Sequence, residues 1–169
     1  MKKFLNLRSI LLCVAVVFGL IAAFMLFAPA IVPQKGSGDG YKGSEIAFGL
    51  TQKGFGELKI LGASAYMLPL FLAIIGVVLA LIAMLGKGGK VVPVIAAVCF
   101  VGAAIVYFLP FQLINPTDDY LKLTEYKDKA EFVKDFKKVA KLGAGAIVGG
   151  VFALVATCAS VVPVFLKND

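Results

Sequence analysis

The chain contains no histidine and no tryptophan, and a single arginine, Arg8, among its 17 basic residues. Without histidine it lacks the side chain that most often serves as acid, base or metal ligand near neutral pH. Its three cysteines, Cys13, Cys99 and Cys158, all fall inside apolar runs, where a thiol behaves as a small hydrophobe. That placement excludes a loop disulfide framework, and no ligand spacing suits a zinc cluster. No serine sits in a glycine elbow. The stretch Gly86-Lys87-Gly88-Gly89-Lys90 is glycine-rich and basic, but it lacks the spacing and the following Ser/Thr of a phosphate loop. The chain is therefore read as non-enzymatic, with no catalytic, cofactor-binding or metal-binding residues.

Charge is missing from four long stretches, residues 9–34, 60–86, 91–117 and 142–166. Each exceeds the roughly 20 apolar residues needed to cross about 30 Å of hydrocarbon. The composition agrees, at 60% hydrophobic. The expected fold is an all-α four-transmembrane-helix bundle forming one membrane domain over residues 1–169. Its spans are expected at about 10–32, 64–86, 91–111 and 142–166, with longer segments at 33–63 and 112–141. Lys2, Lys3 and Arg8 before an apolar run resemble a secretory signal, whose apolar core is about 7 to 15 residues. This run is longer, so an uncleaved first span is expected. No ionisable group falls in the expected hydrocarbon region, whereas proton relays and ion paths ordinarily carry such groups there.

A net charge of +7 on a soluble chain would suggest nucleic acid, but here the charge is divided between loops and forms no continuous basic face. Nucleic acid is not an expected partner. Four spans place both termini on one side, with the short 86–90 link. That side carries six basic residues and one acid, a net +5; the other carries eleven lysines and nine acids, a net +2. Lysine count alone favours the second side, but the flank of the first helix usually sets orientation, and it is cationic with no acid. The expectation is a multi-pass protein of the cell membrane with both termini cytoplasmic. Tyr66 and Tyr107 then stand at the outer ends of spans two and three, as interfacial aromatics.

Of the two outer segments, 33–63 opens with Gly36-Ser37-Gly38-Asp39-Gly40 and then offers two strands, at 45–51 and 56–61. Ile46, Phe48 and Leu50 alternate on one face of the first. Together they predict a hairpin. Segment 112–141 reads as helical: Asn115-Pro116 supplies a start, with Asp118 and Asp119 complementing the positive helix end, and Thr124 with Glu125 opens a second helix. Phe132, Val133, Phe136, Val139 and Ala140 recur at spacings of three and four. This amphipathic helix is expected to run without a break into the fourth span. Two roles stay open for Phe132 and Phe136: covering the chain's own hairpin, or docking on a partner or on headgroups. Phe48 and Phe55 on the hairpin join them as candidate partner-binding residues. Mixed Lys and Asp/Glu over neighbouring turns argue against a helix dedicated to anionic lipid.

In the fourth span Gly145, Gly149, Ala153 and Thr157 repeat at four-residue spacing. Small residues at that period let helix backbones approach closely, either within the bundle or against a second copy. The order of short terminus, span, strand-rich loop, span, tight turn, span, loop and span resembles the claudin and tetraspan layout, as topology only. The paired loop cysteines and tryptophan of claudins are absent. Residues 41–49 followed by a proline-containing second span look like small four-helix membrane proteins of low-GC Gram-positive bacteria, a resemblance that implies no activity. The function expected is that of an accessory, scaffolding or self-associating subunit. Its partners would be the lipid bilayer and either another protein or a homo-oligomer, and the alternative is an oligomeric channel or carrier for a small solute.

Overall fold

Small side chains fill the middle of this protein and large ones cover its outside. The computed structural model describes residues 7–34, 40–52, 58–61 and 64–166. The elements run α1 Leu7–Phe24, β1 Pro29–Pro33, β2 Tyr41–Lys42, α2 Gly43–Phe48, β3 Leu50–Gln52, β4 Leu58–Leu61, α3 Leu68–Met84 and α4 Val91–Phe108. They continue with α5 Pro110–Leu113, α6 Asp118–Leu123, α7 Lys129–Val139, β5 Ala140–Leu142 and α8 Ala144–Phe165. Short 3-10 turns extend α1 through Phe27 and open α3 from Ser64, so four apolar segments of 21, 21, 18 and 22 residues result. At 1.5 Å per residue the shortest is about 27 Å long, close to a hydrocarbon core. Four helices this long and apolar mark a multi-pass membrane protein.

The four long helices pack in the ring order α1, α3, α4, α8, each beside an antiparallel neighbour. Fully buried positions are mostly alanine and glycine: Ala15, Ala22, Ala73, Ala80, Ala96, Ala103, Ala153 and Ala156 line the seam, with Gly19, Gly76, Gly149 and Gly150. Val17, Leu20, Phe71, Ile75, Val98, Ile105, Val151 and Leu154 point outward. In lipid this distribution is favourable. Apolar surface gains nothing by leaving hydrocarbon, so the helices associate through close packing of small residues.

One large ring interrupts the small-residue interior. Phe100 of α4 is fully buried, and it fits only because Gly19 of α1 and Gly76 of α3 face it: a Cβ added at either would stand 2.6 or 2.8 Å from the ring. Tyr66 and Tyr107 are fully buried too, with ring centroids 6.5 Å apart and planes nearly perpendicular. Tyr107 donates its hydroxyl proton to the carbonyl of Ala22 in α1. Both stand at the expected ends of their spans, but they are buried and do not face outward as interfacial aromatics would. The Tyr107 phenol, bonded to a backbone carbonyl, is at home inside a bundle.

The spans begin and end differently from the sequence expectation. The first was expected to run to residue 32, but its helix ends earlier. A residue before proline avoids the α region, and Ala28, with ψ 161°, precedes Pro29. From there β1 runs as the central strand of a three-stranded antiparallel sheet ordered β2-β1-β5, pairing Ile31 with both Tyr41 and Leu142. Pro29 and Pro33 stand at its two ends, where a missing N–H is tolerated.

The helix α7 does not run into α8. Residues 140–142 form β5 instead, with Ala140 extended at φ −128° and ψ 152°. Strand pairing with β1 outcompetes helix continuation there, and the Gly143 amide donates to the Ala30 carbonyl at 2.8 Å before α8 begins. A break also lies upstream. Thr124 closes α6 by donating its hydroxyl proton to the Tyr120 carbonyl at 2.7 Å, and Glu125 takes a positive φ of 59°. The helix that follows is opened by Asp128 rather than by Thr124 and Glu125: its carboxylate accepts from the Glu131 amide at 2.8 Å, while Glu131 accepts from the Lys127 amide at 3.0 Å. The preceding helix starts at Asp118, two residues beyond Pro116.

The expected first hairpin strand is partly helical. Gly43, Ile46 and Ala47 are buried at helical spacing in α2, and the Lys42 amide donates to Glu45 at 2.9 Å as a helix-start bond. Gly49 ends the turn at φ 88°, a conformation glycine reaches without strain. A shorter hairpin follows, β3 against β4, with Leu50 opposite Leu61 and Gln52 opposite Leu58.

Candidate interaction surface

The short elements gather at one end of the bundle and share a core with it. Leu26 at the end of α1, Tyr66 before α3, Ala146 in α8, Ile31 in β1, Ile46 in α2, Ile114 after α5 and Phe132 in α7 form a single cluster of buried residues. This cap is thus seated on the bundle by direct packing. It does not hang from loops.

Aromatic rings organise its outer part. Phe132 is only 5% exposed and lies 5.8 Å from Tyr120, 5.5 Å from Tyr126 and 5.4 Å from Phe136, the first two edge-on and the last stacked. Phe136 in turn meets Phe111 at 6.1 Å and Tyr41 at 6.3 Å. Such pairs contribute about 0.5–1.5 kcal/mol each beyond area burial. Burial pushes the Tyr120 phenol above its usual range, and the neighbouring Tyr41 and Tyr126 add to the shift.

Two of the four candidate contact residues are therefore engaged within the chain. Phe132 is covered by its own cap, and Phe136 is half-buried in the same cluster. Phe48 differs: it follows the buried pair Ile46 and Ala47 on α2 and is 68% exposed. Phe55 lies outside the described residues. Tyr41, Tyr120, Tyr126 and Phe111 complete the cluster yet carried no periodic signal, because they come from four different segments. A helical period reports only neighbours along one helix.

The C-terminal end of α7 is held from outside the helix. Gln34, just past β1, donates its side-chain amide to the carbonyls of Lys137 and Ala140, both at 3.3 Å, and its backbone amide to Val139 at 2.8 Å. These are carbonyls a helix end leaves unpaired. The outer face of α7 carries Lys134, Lys137 and Lys138, all exposed, with Lys138 paired to Asp135 at 2.7 Å.

In the stripe Gly145, Gly149, Ala153 and Thr157, the two glycines face the end of α1 and α4. A Cβ at Gly145 would lie 2.7 Å from the Ala28 carbonyl, and one at Gly149 would lie 2.9 Å from the Tyr107 ring. Ala153 is fully buried, and Thr157 donates its hydroxyl proton to the Ala153 carbonyl at 2.9 Å. The sequence left open whether this stripe meets the chain's own bundle or a second copy; these contacts are within the bundle. Among the described residues no group of three or more His, Cys, Asp or Glu comes together as a metal ion would require. No family model, curated protein or solved structure matches this chain.

Proposed function

We propose that this protein is a non-enzymatic integral membrane subunit that scaffolds or accompanies another protein, or a second copy of itself, through its cap. The observation that carries the reading is the contrast between cap and bundle. The cap is a folded unit sharing a core with the helix ends, yet it presents Phe48 to solvent, while the bundle interior is packed with alanine and glycine. An exposed aromatic on a rigid support is the kind of residue that anchors protein interfaces. Because Phe132 is covered, the contact centres on Phe48.

The cap faces the cell exterior in this reading and both termini face the cytoplasm. Arg8, Lys87 and Lys90 cluster at the bundle end opposite the cap, as positive-inside orientation favours. A photo-crosslinking residue at position 48, followed by purification from the native membrane in mild detergent, tests the proposal. A specific co-purifying protein or a crosslinked second copy is expected. A lone monomer without crosslinks would count against it, and labelling of Cys99 by a water-borne thiol reagent would favour the channel or carrier alternative.

A further inference from the structure

We infer that the lysine face formed by the end of α7 and by β5 is a docking surface for anionic phospholipid headgroups of the membrane that the bundle crosses. Lys134, Lys137, Lys138 and Lys141 are all exposed and recur at spacings of three, one and three. On a helix the first three share one side, and β5 carries Lys141 on from there. Val139, the last residue of α7 and between Lys138 and Lys141 in the chain, is 61% exposed.

Along the sequence the charges of this segment alternate, which argued against lipid binding. In the structure its acids are engaged within the helix. Asp128 and Glu131 stand at the opening of α7, and both carboxylates are committed to its start. The remaining acid, Asp135, pairs with Lys138. Glu131, one turn before Lys134, and Asp135 share this side of the helix, so four lysines against two acids leave a net of +2 on the face.

Its height relative to the membrane points to the occupant. Only β5 and Gly143 separate α7 from α8, and four extended residues cover at most about 13 Å. Phe136, within the lysine run, touches Phe111, which lies just beyond α4. Interfacial headgroup layers occupy about 5–7 Å beyond the hydrocarbon on each side. By chain distance from the start of α8, Lys141 is within reach of that layer, and Lys137 and Lys138 follow one turn farther away. Gln34 fixes this end of the helix through the carbonyls of Lys137, Val139 and Ala140, so the backbone that carries these lysines is held in place. Charge complementarity with phosphodiester headgroups follows, each lysine near an anionic surface contributing up to about fivefold in affinity.

The inference needs only the four helices in a membrane, and it stands or falls separately from protein recognition at Phe48. The test is retention of phosphatidylglycerol against phosphatidylcholine by the full chain, read by native mass spectrometry after purification in mild detergent. Wild type should retain phosphatidylglycerol preferentially, with the preference falling as salt rises from about 0.1 M to about 1 M. The variant K134Q/K137Q/K138Q/K141Q should lose it by tenfold or more, and the matching lysine-to-arginine variant should keep it. The control K122Q/K127Q/K129Q, at the other end of the cap, should also keep it. Should the fourfold glutamine variant fail to fold, K137Q and K141Q singly should each lower the preference several-fold. Equal retention of the two lipids by wild type would overturn the inference. So would a preference unchanged by the lysine substitutions, an equal loss in the control, or displacement of the lipid by millimolar inorganic phosphate.

Discussion

The ring of Phe100 in α4 rests on Gly19 of α1, the helix diagonal to it: a Cβ on that glycine would fall 2.6 Å from Phe100 Cε1. Gly76 of α3 completes the hole from a third helix, its added Cβ falling 2.8 Å from the same atom. One aromatic knob therefore sets the spacing of three helices.

Gly76→Ala should destabilise the bundle by about 1–3 kcal/mol, since overpacking a close-fitted site forces neighbours to move. Combining it with Phe100→Leu should cost less than the sum of the two single changes, because the smaller side chain yields the space the new methyl needs. Reversible denaturant unfolding in detergent measures both. Additive losses would mean that the two residues do not share a site.

The two buried tyrosines should respond differently to loss of their hydroxyls. Tyr107→Phe removes the bond to the Ala22 carbonyl and should cost about 1 kcal/mol. The Tyr66 hydroxyl is buried without a hydrogen-bond partner among the described residues, so Tyr66→Phe should be neutral or stabilising. Thermal unfolding of the two variants side by side decides this.

Gln34→Ala should loosen the end of α7 while leaving the spans intact. Hydrogen exchange should speed up over residues 134–142 and remain unchanged in α3 and α4. Asp128→Ala should weaken the opposite end of the same helix by about 1 kcal/mol through loss of its cap.

The cap should also loosen in alkali. Tyr120 has its phenol pKa raised in the folded state by burial, then by Tyr41 and Tyr126. Above the unfolded value of about 10 the unfolded chain loses that proton first, so folded stability is full below that pH and declines as pH rises beyond it. Near-ultraviolet dichroism of the aromatic cluster should fade above about pH 10 in wild type. In Tyr120→Phe the fading should begin at higher pH.

Local reading of the sequence failed where partners came from distant segments. The continuous helix expected from Glu125 through the fourth span rested on the absence of Gly or Pro before Gly143. Glu125 nevertheless turns the chain at positive φ, and residues 140–142 leave the helix to pair with β1, more than a hundred residues earlier. Likewise Ile46, Phe48 and Leu50 alternate as a strand would, yet burial of Gly43, Ile46 and Ala47 at helical spacing decides for α2. Phe132 was legible as a key side chain, but its Tyr120 and Tyr126 cover was not.

Sequence by itself determined the number, approximate position and apolarity of the four long helices, because the cost of placing charge in hydrocarbon leaves an uninterrupted record along the chain. It also determined that the fourth helix would pack through small residues. Tertiary structure alone decided what those residues touch, why Tyr66 and Tyr107 are inside, and which phenylalanines are covered. Those outcomes depend on which segments meet in space, and a β1 strand seated between Tyr41 and Leu142 joins segments that sequence distance keeps apart.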